Sequence, residues 1–134
     1  MAYIAVTPVV EPNFRAEAIL AGTSLLARFT GTADFTVETH VDKFVRQVHA
    51  EACRLEATAV DVDISALEFV NSSCLRAFVI WITTVQDMGR RRYTITFLFK
   101  PAAGWQQRAL DSLEMIGEDV VTTRSAEAES SRRS

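Results

Sequence analysis

Four consecutive residues, Asn71-Ser72-Ser73-Cys74, place an amide, two hydroxyls and a thiol where an apolar run gives way to a helical pattern. The amide and hydroxyls can cap a helix by accepting a hydrogen bond from an early N–H, an interaction worth about 1 kcal/mol. The hydroxyls and the thiol are also nucleophiles able to carry a covalent group. A helix start leaves its first N–H groups without intrahelical partners and directs the positive end of the dipole outward, so negative charge is favoured there. Capping and phosphate attachment at a serine therefore suit this position, and the two are compatible if Asn71 or Ser73 holds the cap while Ser72 stays exposed. A third role, a nucleophilic enzyme with Ser72, Ser73 or Cys74 activated by the dipole, has less support. The segment from Val70 to Cys74 lacks the glycines of a nucleophile elbow, and the only histidines, His40 and His49, lie on or beside a different helical stretch.

Other reactive residues read more simply. His49 and Cys53 are four apart, acceptable spacing for a metal on one helix face, but no third or fourth ligand accompanies them, so partial burial is expected. Asp63, just before the junction, is expected to hold the loop by a hydrogen bond. Arg90-Arg91-Arg92 follows a helix and complements its negative end, the pattern of a solvated turn. Trp81, Phe97, Phe99 and Trp105 have no interleaved basic residues, which makes them core or rim aromatics instead of a stacking platform.

The elements that must position the junction follow from periodicity. Residues 14–20 and 24–30 read as strands joined through Ala21-Gly22-Thr23, a hairpin. Before them, residues 4–10 are apolar, but Pro8 and Pro12 limit this piece to an edge strand or a surface arm. Val41, Phe44, Val45, Val48, Ala52 and Leu55 recur at helical spacing, with Asp42, Lys43, Arg46, Gln47 and Glu51 on the other side and Thr36 or Thr39 as cap. Val60, Val62 and Ile64 alternate with Asp61 and Asp63, predicting a strand over 59–64 and a loop over 67–71. A second helix is expected over 73–88, carrying Leu75, Phe78, Val79, Ile82 and Val85 on one stripe and stopping at Gly89. Tyr93, Ile95, Phe97 and Phe99 alternate as a strand. Trp105, Ala109, Leu113 and Ile116 mark a third helix ending at Gly117, and residues 120–122 add a short edge strand.

At 134 residues with 49% hydrophobic composition and a formal charge of −3, the chain should form one packed domain. Mild acidity argues against a nucleic-acid surface. The longest apolar run, Phe78-Val79-Ile80-Trp81-Ile82, is too short to span a bilayer, and Met1-Ala2-Tyr3 opens no signal peptide, so no membrane role is expected. Cys53 and Cys74, without metal-type spacing, fit a reducing compartment, and a cytoplasmic location is expected.

One stretch carries a resemblance. Asp63-Ile64-Ser65, then Leu67, Phe69 and Val70, then Asn71-Ser72-Ser73-Cys74-Leu75 resembles the STAS domain of bacterial anti-sigma factor antagonists, whose usual run is Asp-Leu-Ser, a few apolar residues, then Asp-Ser-Ser-Gly-Leu. The resemblance covers roughly residues 14–122, with Asn71 where Asp is usual and Cys74 where Gly is usual. It implies an α/β fold with a STAS-like mixed β-sheet and helices packed on one face, in a single domain over 1–122; residues 123–134 have almost nothing to bury and are expected to be a disordered tail. It further implies a non-enzymatic bacterial signalling regulator in a partner-switching pathway that controls transcription, with Ser72 as the phosphorylation site. By the same resemblance Leu67, Glu68, Phe69, Asn71, Ser72, Ser73 and Arg76 would meet a serine kinase/anti-sigma factor. ATP would belong to that kinase, a phosphatase would reset the switch, and the chain itself would need no cofactor or metal. The alternative is a constitutive STAS scaffold that binds a partner, or a second copy as a homodimer, without phosphorylation.

Overall fold

Alternating apolar residues on the strands and three amphipathic helices meet in one core in the computed structural model, which describes residues 4–126. In chain order the elements are β1 (Val9–Glu11), β2 (Phe14–Ala21), β3 (Ser24–Ala33), α1 (Glu38–Arg54), β4 (Ala59–Val70), α2 (Ser72–Gln86), β5 (Thr94–Phe99), α3 (Gly104–Ile116) and β6 (Val121–Ser125). The six strands form one sheet in the order β1-β2-β3-β4-β5-β6. The first three pair antiparallel and the rest parallel. Successive parallel strands laid down in one direction, each joined by a helix, put all three helices on the same face when the crossovers share a hand. This is the expected mixed sheet.

Burial follows the strand period. Ala27 and Phe29 of β3, Val60, Val62 and Ile64 of β4, and Ile95, Phe97 and Phe99 of β5 point into the core. Phe29 is its centre, with edge-on rings at 5.3 Å to Phe44 of α1 and 5.5 Å to Phe78 of α2. Phe78 in turn meets Phe97 edge-on at 5.7 Å, so one aromatic chain ties α1, α2 and the sheet together. Trp81 is buried with them and Trp105 is half-buried, as expected of core and rim aromatics. The outer sheet face carries the ion pairs Arg28–Asp63 (3.6 Å) and Arg124–Asp61 (4.0 Å).

Several expectations need correction. The strand predicted over 59–64 runs to Val70, so residues 67–70 form a strand end and not a loop. Neither Thr36 nor Thr39 caps the first helix. Asp34 caps a 3-10 turn, Phe35–Val37, that leads into α1, and Thr36 donates to it. Glu51, placed by periodicity on the polar face of α1, is buried because the N-terminal arm crosses it and Ala5 N–H donates to its Oε1 at 2.8 Å. The second helix begins at Ser72 and ends at Gln86, before a 3-10 turn that starts at Gly89. The buried line of α3 is Gln106, Leu110 and Leu113, while Ile116 is 44% exposed. The last strand extends to Ser125, which moves the ordered boundary beyond Thr122 because residues 121–125 pair with β5. The tail expected over 123–134 is otherwise outside the described residues from 127 onward. No described helix is long and apolar enough to cross a membrane.

Candidate functional site

The junction between β4 and α2 is built by an unusual length of strand. Only Ala59 to Asp63 of β4 pair with β5, whereas the remainder continues beside β3 alone, as far as Val70 opposite Ala33. The register shifts twice on the way, between Arg28 and Thr30 and between Gly31 and Thr32. At the first shift Asp63 Oδ1 accepts from Ser65 N–H (2.9 Å) and Ser65 Oγ–H (2.6 Å), the local bond expected of that carboxylate. At the second, Gly31 has φ of 92°, and a Cβ there would collide with the carbonyl of Asn13, whose oxygen accepts from Thr32 N–H at 2.7 Å.

Beyond Asp63 the free edge of β4 is satisfied by one buried side chain. Gln106, fully enclosed on α3, donates its amide to the carbonyls of Ile64 and Leu67, each at 3.0 Å, and accepts from Lys100 N–H at 2.7 Å. Its amide therefore stands in for the β5 backbone where β5 has turned away. The sequence stripe passed over Gln106 because a polar residue at a core position looks like solvent-facing surface.

At the end of the strand, Asn71 performs the cap. Its N–H donates to Ala33 O (2.9 Å), its Oδ1 accepts from Cys74 N–H (2.8 Å), and its carbonyl accepts from Leu75 N–H (3.0 Å). Ser72 is the first residue of α2, and both Ser72 and Ser73 are exposed. Neither serine hydroxyl has a hydrogen-bond partner among the described residues. The cap is thus supplied from one side, and Ser72 Oγ is left to solvent.

Cys74 behaves oppositely. It is fully buried, its Sγ lies 3.6 Å from the Asp34 carbonyl, and burial, reinforced by Glu38 and Asp34, pushes its thiol up to about 11. A thiol so shifted is no activated nucleophile. His49 is committed elsewhere, with Nδ1 2.7 Å from the Tyr93 hydroxyl, which itself accepts from Trp81 Nε1–H at 2.7 Å. Cys53 Sγ lies 3.6 Å from His49 Nε2. Among the described residues no group of three or more His, Cys, Asp or Glu side chains is arranged to hold a metal.

The residues expected to meet a partner divide accordingly. Glu68, Phe69, Ser72, Ser73 and Arg76 are exposed and Asn71 is partly so, all on one end of the molecule. Leu67 is corrected: it is buried at 4% exposure, because the first register shift reverses the strand's alternation after Ile64 and turns Leu67 into the core, while its carbonyl bonds Gln106. One residue was missed. Phe35, in the 3-10 turn after β3, is 76% exposed beside the junction, and Phe69 is 50% exposed. The only signal for Phe35 was that it fits neither neighbouring stripe. An open groove of about 440 Å³ adjoins them, bordered by Glu11, Arg15, Asp34 and Glu68.

No protein-family model matches the sequence, and no curated protein matches it. Solved structures do match in shape. An anti-sigma factor antagonist from Mycobacterium paratuberculosis superposes with a TM-score of 0.63 at 16% identity, covering 94% of this chain and 100% of that one. The Bacillus cell fate determinant SpoIIAA in its phosphorylated form gives 0.54 at 15% identity, covering 90% and 99%. The anti-sigma factor antagonist SpoIIAA in its unphosphorylated form gives 0.50 at 13% identity, covering 88% and 95%. The fold of this chain is that of the STAS domain.

Proposed function

We propose, from the STAS fold and the open hydroxyl at the head of α2, that this chain is a non-enzymatic cytoplasmic regulator in a bacterial partner-switching pathway, controlled by phosphorylation of Ser72. The partner is a serine kinase/anti-sigma factor that brings its own ATP. Its γ-phosphoryl group passes to Ser72 Oγ, ADP leaves, and the hydroxyl proton goes to a base of the kinase. A phosphatase returns the serine by hydrolysis, releasing inorganic phosphate. The docking surface comprises Glu68, Phe69, Asn71, Ser72, Ser73 and Arg76, and Phe35 joins it as an exposed aromatic anchor of the kind that dominates interface energetics.

The observation that carries this reading is that Asn71 caps α2 while Ser72 Oγ stays exposed and unbonded. A covalent phosphate can then be added without dismantling the helix start. It brings about −1.5 to −2 charges, which the helix dipole tolerates. One partner carboxylate about 5 Å away, at an effective dielectric near 20, would repel each unit charge by roughly 3 kcal/mol, or about a hundredfold in affinity. The switch acts at the interface and requires no refolding. A neighbour of the same fold, the Bacillus cell fate determinant SpoIIAA, has its structure in a phosphorylated form, which supports a modifiable STAS domain.

Incubation of the intact chain with ATP and the candidate kinase should add one phosphate, located by mass spectrometry at Ser72. Ser72→Asp should weaken kinase binding about a hundredfold while Ser72→Ala binds like the parent. Equal binding by both variants, with no phosphate incorporated, would establish the constitutive scaffold instead.

A further inference from the structure

Arg76 lies one turn below Ser72 on the solvent arc of α2, and both are exposed. Residues four apart on a helix have Cβ atoms about 5–6 Å from each other. Side chains lean toward the helix N-terminus, so an arginine at this position reaches back over the turn that bears Ser72. An anion placed N-terminal to its cation at this spacing is the favourable order.

The remaining charges nearby leave Arg76 as the counter-ion. Asp34 and Glu38 border the first turn closely enough to act on the Cys74 thiol, and Glu68 shares a groove with Asp34. All three would push a phosphate on Ser72 away from the β3 side. Arg46, on the neighbouring helix, is engaged by Asp42 at 2.9 Å, and Arg15 lines the groove with Glu11, Asp34 and Glu68. Arg76 forms no ion pair among the described residues.

We infer that Arg76 is the intramolecular partner of the phosphate on Ser72, so that phosphorylation both adds an anion and withdraws Arg76, the cation among the docking residues named above, from that surface. The inference rests on the proposed modification of Ser72 and deepens it. In the unmodified protein Arg76 is available to a carboxylate on the partner. In the phosphorylated protein it is folded back along α2 onto the phosphate, and the same surface turns from mixed to wholly acidic. Arg76 is a positioning residue in this scheme.

The test uses the full chain with phosphoserine inserted at position 72 during translation, so that no kinase is needed. The second ionisation of the phosphate, near pH 6 when unpaired, is followed by 31P NMR. It should occur about 0.2–0.4 pH unit lower with Arg76 present than in Arg76→Gln. Arg76→Lys should restore most of the difference, Arg90→Gln should leave the parent value unchanged, and 1 M salt should shrink the difference. Coincident titrations of the parent and Arg76→Gln would overturn the pairing while leaving the switch at Ser72 standing. Conversely, a chain that no kinase modifies would refute the switch and leave the pairing measurable.

Discussion

Asn71 holds the head of α2 by shape, without a charge. Its side chain supplies the acceptor for Cys74 N–H, so Asn71→Ala should cost about 1 kcal/mol in a urea titration, with Asn71→Ser recovering most of it. The neighbouring thiol gives a second outcome. Cys74 is enclosed and shifted up to about 11, whereas Cys53 is exposed. Iodoacetamide at pH 8 should therefore label the native chain once, at Cys53, and reach Cys74 only on unfolding, as read by mass spectrometry of peptides. A native chain labelled first at Cys74 would contradict the packing described here. At this scale the sequence made the junction residues legible because hydroxyl, amide and thiol side chains in a row at a helix start have few other uses. Phe35 and Gln106 were not legible. The first is an apolar residue outside any stripe, and the second is a polar residue inside one; in both, tertiary position overrides residue type.

The strands and helices were readable wherever burial is one-sided. Val60, Val62 and Ile64 alternate with Asp61 and Asp63, and β5 alternates as cleanly. The second half of β4 broke the reading. Its register shifts scramble the period of two, and its partner on one side is a side chain and not a strand. Removing that partner should be costly. Gln106→Leu keeps the volume but leaves the Ile64 and Leu67 carbonyls and the Lys100 N–H without their bonds, a loss of about 2–4 kcal/mol. Hydrogen exchange should locate the damage, with faster exchange concentrated in residues 64–70 and Asn71 while β1 and β2 keep their protection. Uniform loss of protection would show that Gln106 supports the core in general and not the strand that leads to Ser72. The same argument explains Glu51, which a helical wheel assigns to solvent because the wheel knows nothing of an arm arriving from forty-six residues upstream.

For the molecule as a whole, α1, α2 and the residue that leads into β5 are joined by a polar relay of His49, Tyr93 and Trp81 packed against the core. Trp81 Nε1–H can only donate, so the Tyr93 hydroxyl accepts from it, and the same hydroxyl shares a second bond with His49 Nδ1 at 2.7 Å whose direction is set by the imidazole tautomer. Neutral His49 fits this arrangement, and burial lowers its pKa below the ordinary 6.5. The unfolded chain then binds the proton more readily than the native one. The stability this group contributes is fully present above about pH 6.5 and erodes as the pH falls toward the lower native value. Thermal melts should show that decline, and His49→Asn, which keeps an acceptor but cannot titrate, should remove it. A further consequence lies in the order of the sheet. Because the strands are laid side by side in the sequence in which they are synthesised, β1 and β6 occupy opposite borders, about 24 Å apart at the usual strand spacing. Fluorophores attached near Val10 and Thr122 would therefore act as a ruler across the width of the domain, blind to events at Ser72 unless docking bends the sheet itself.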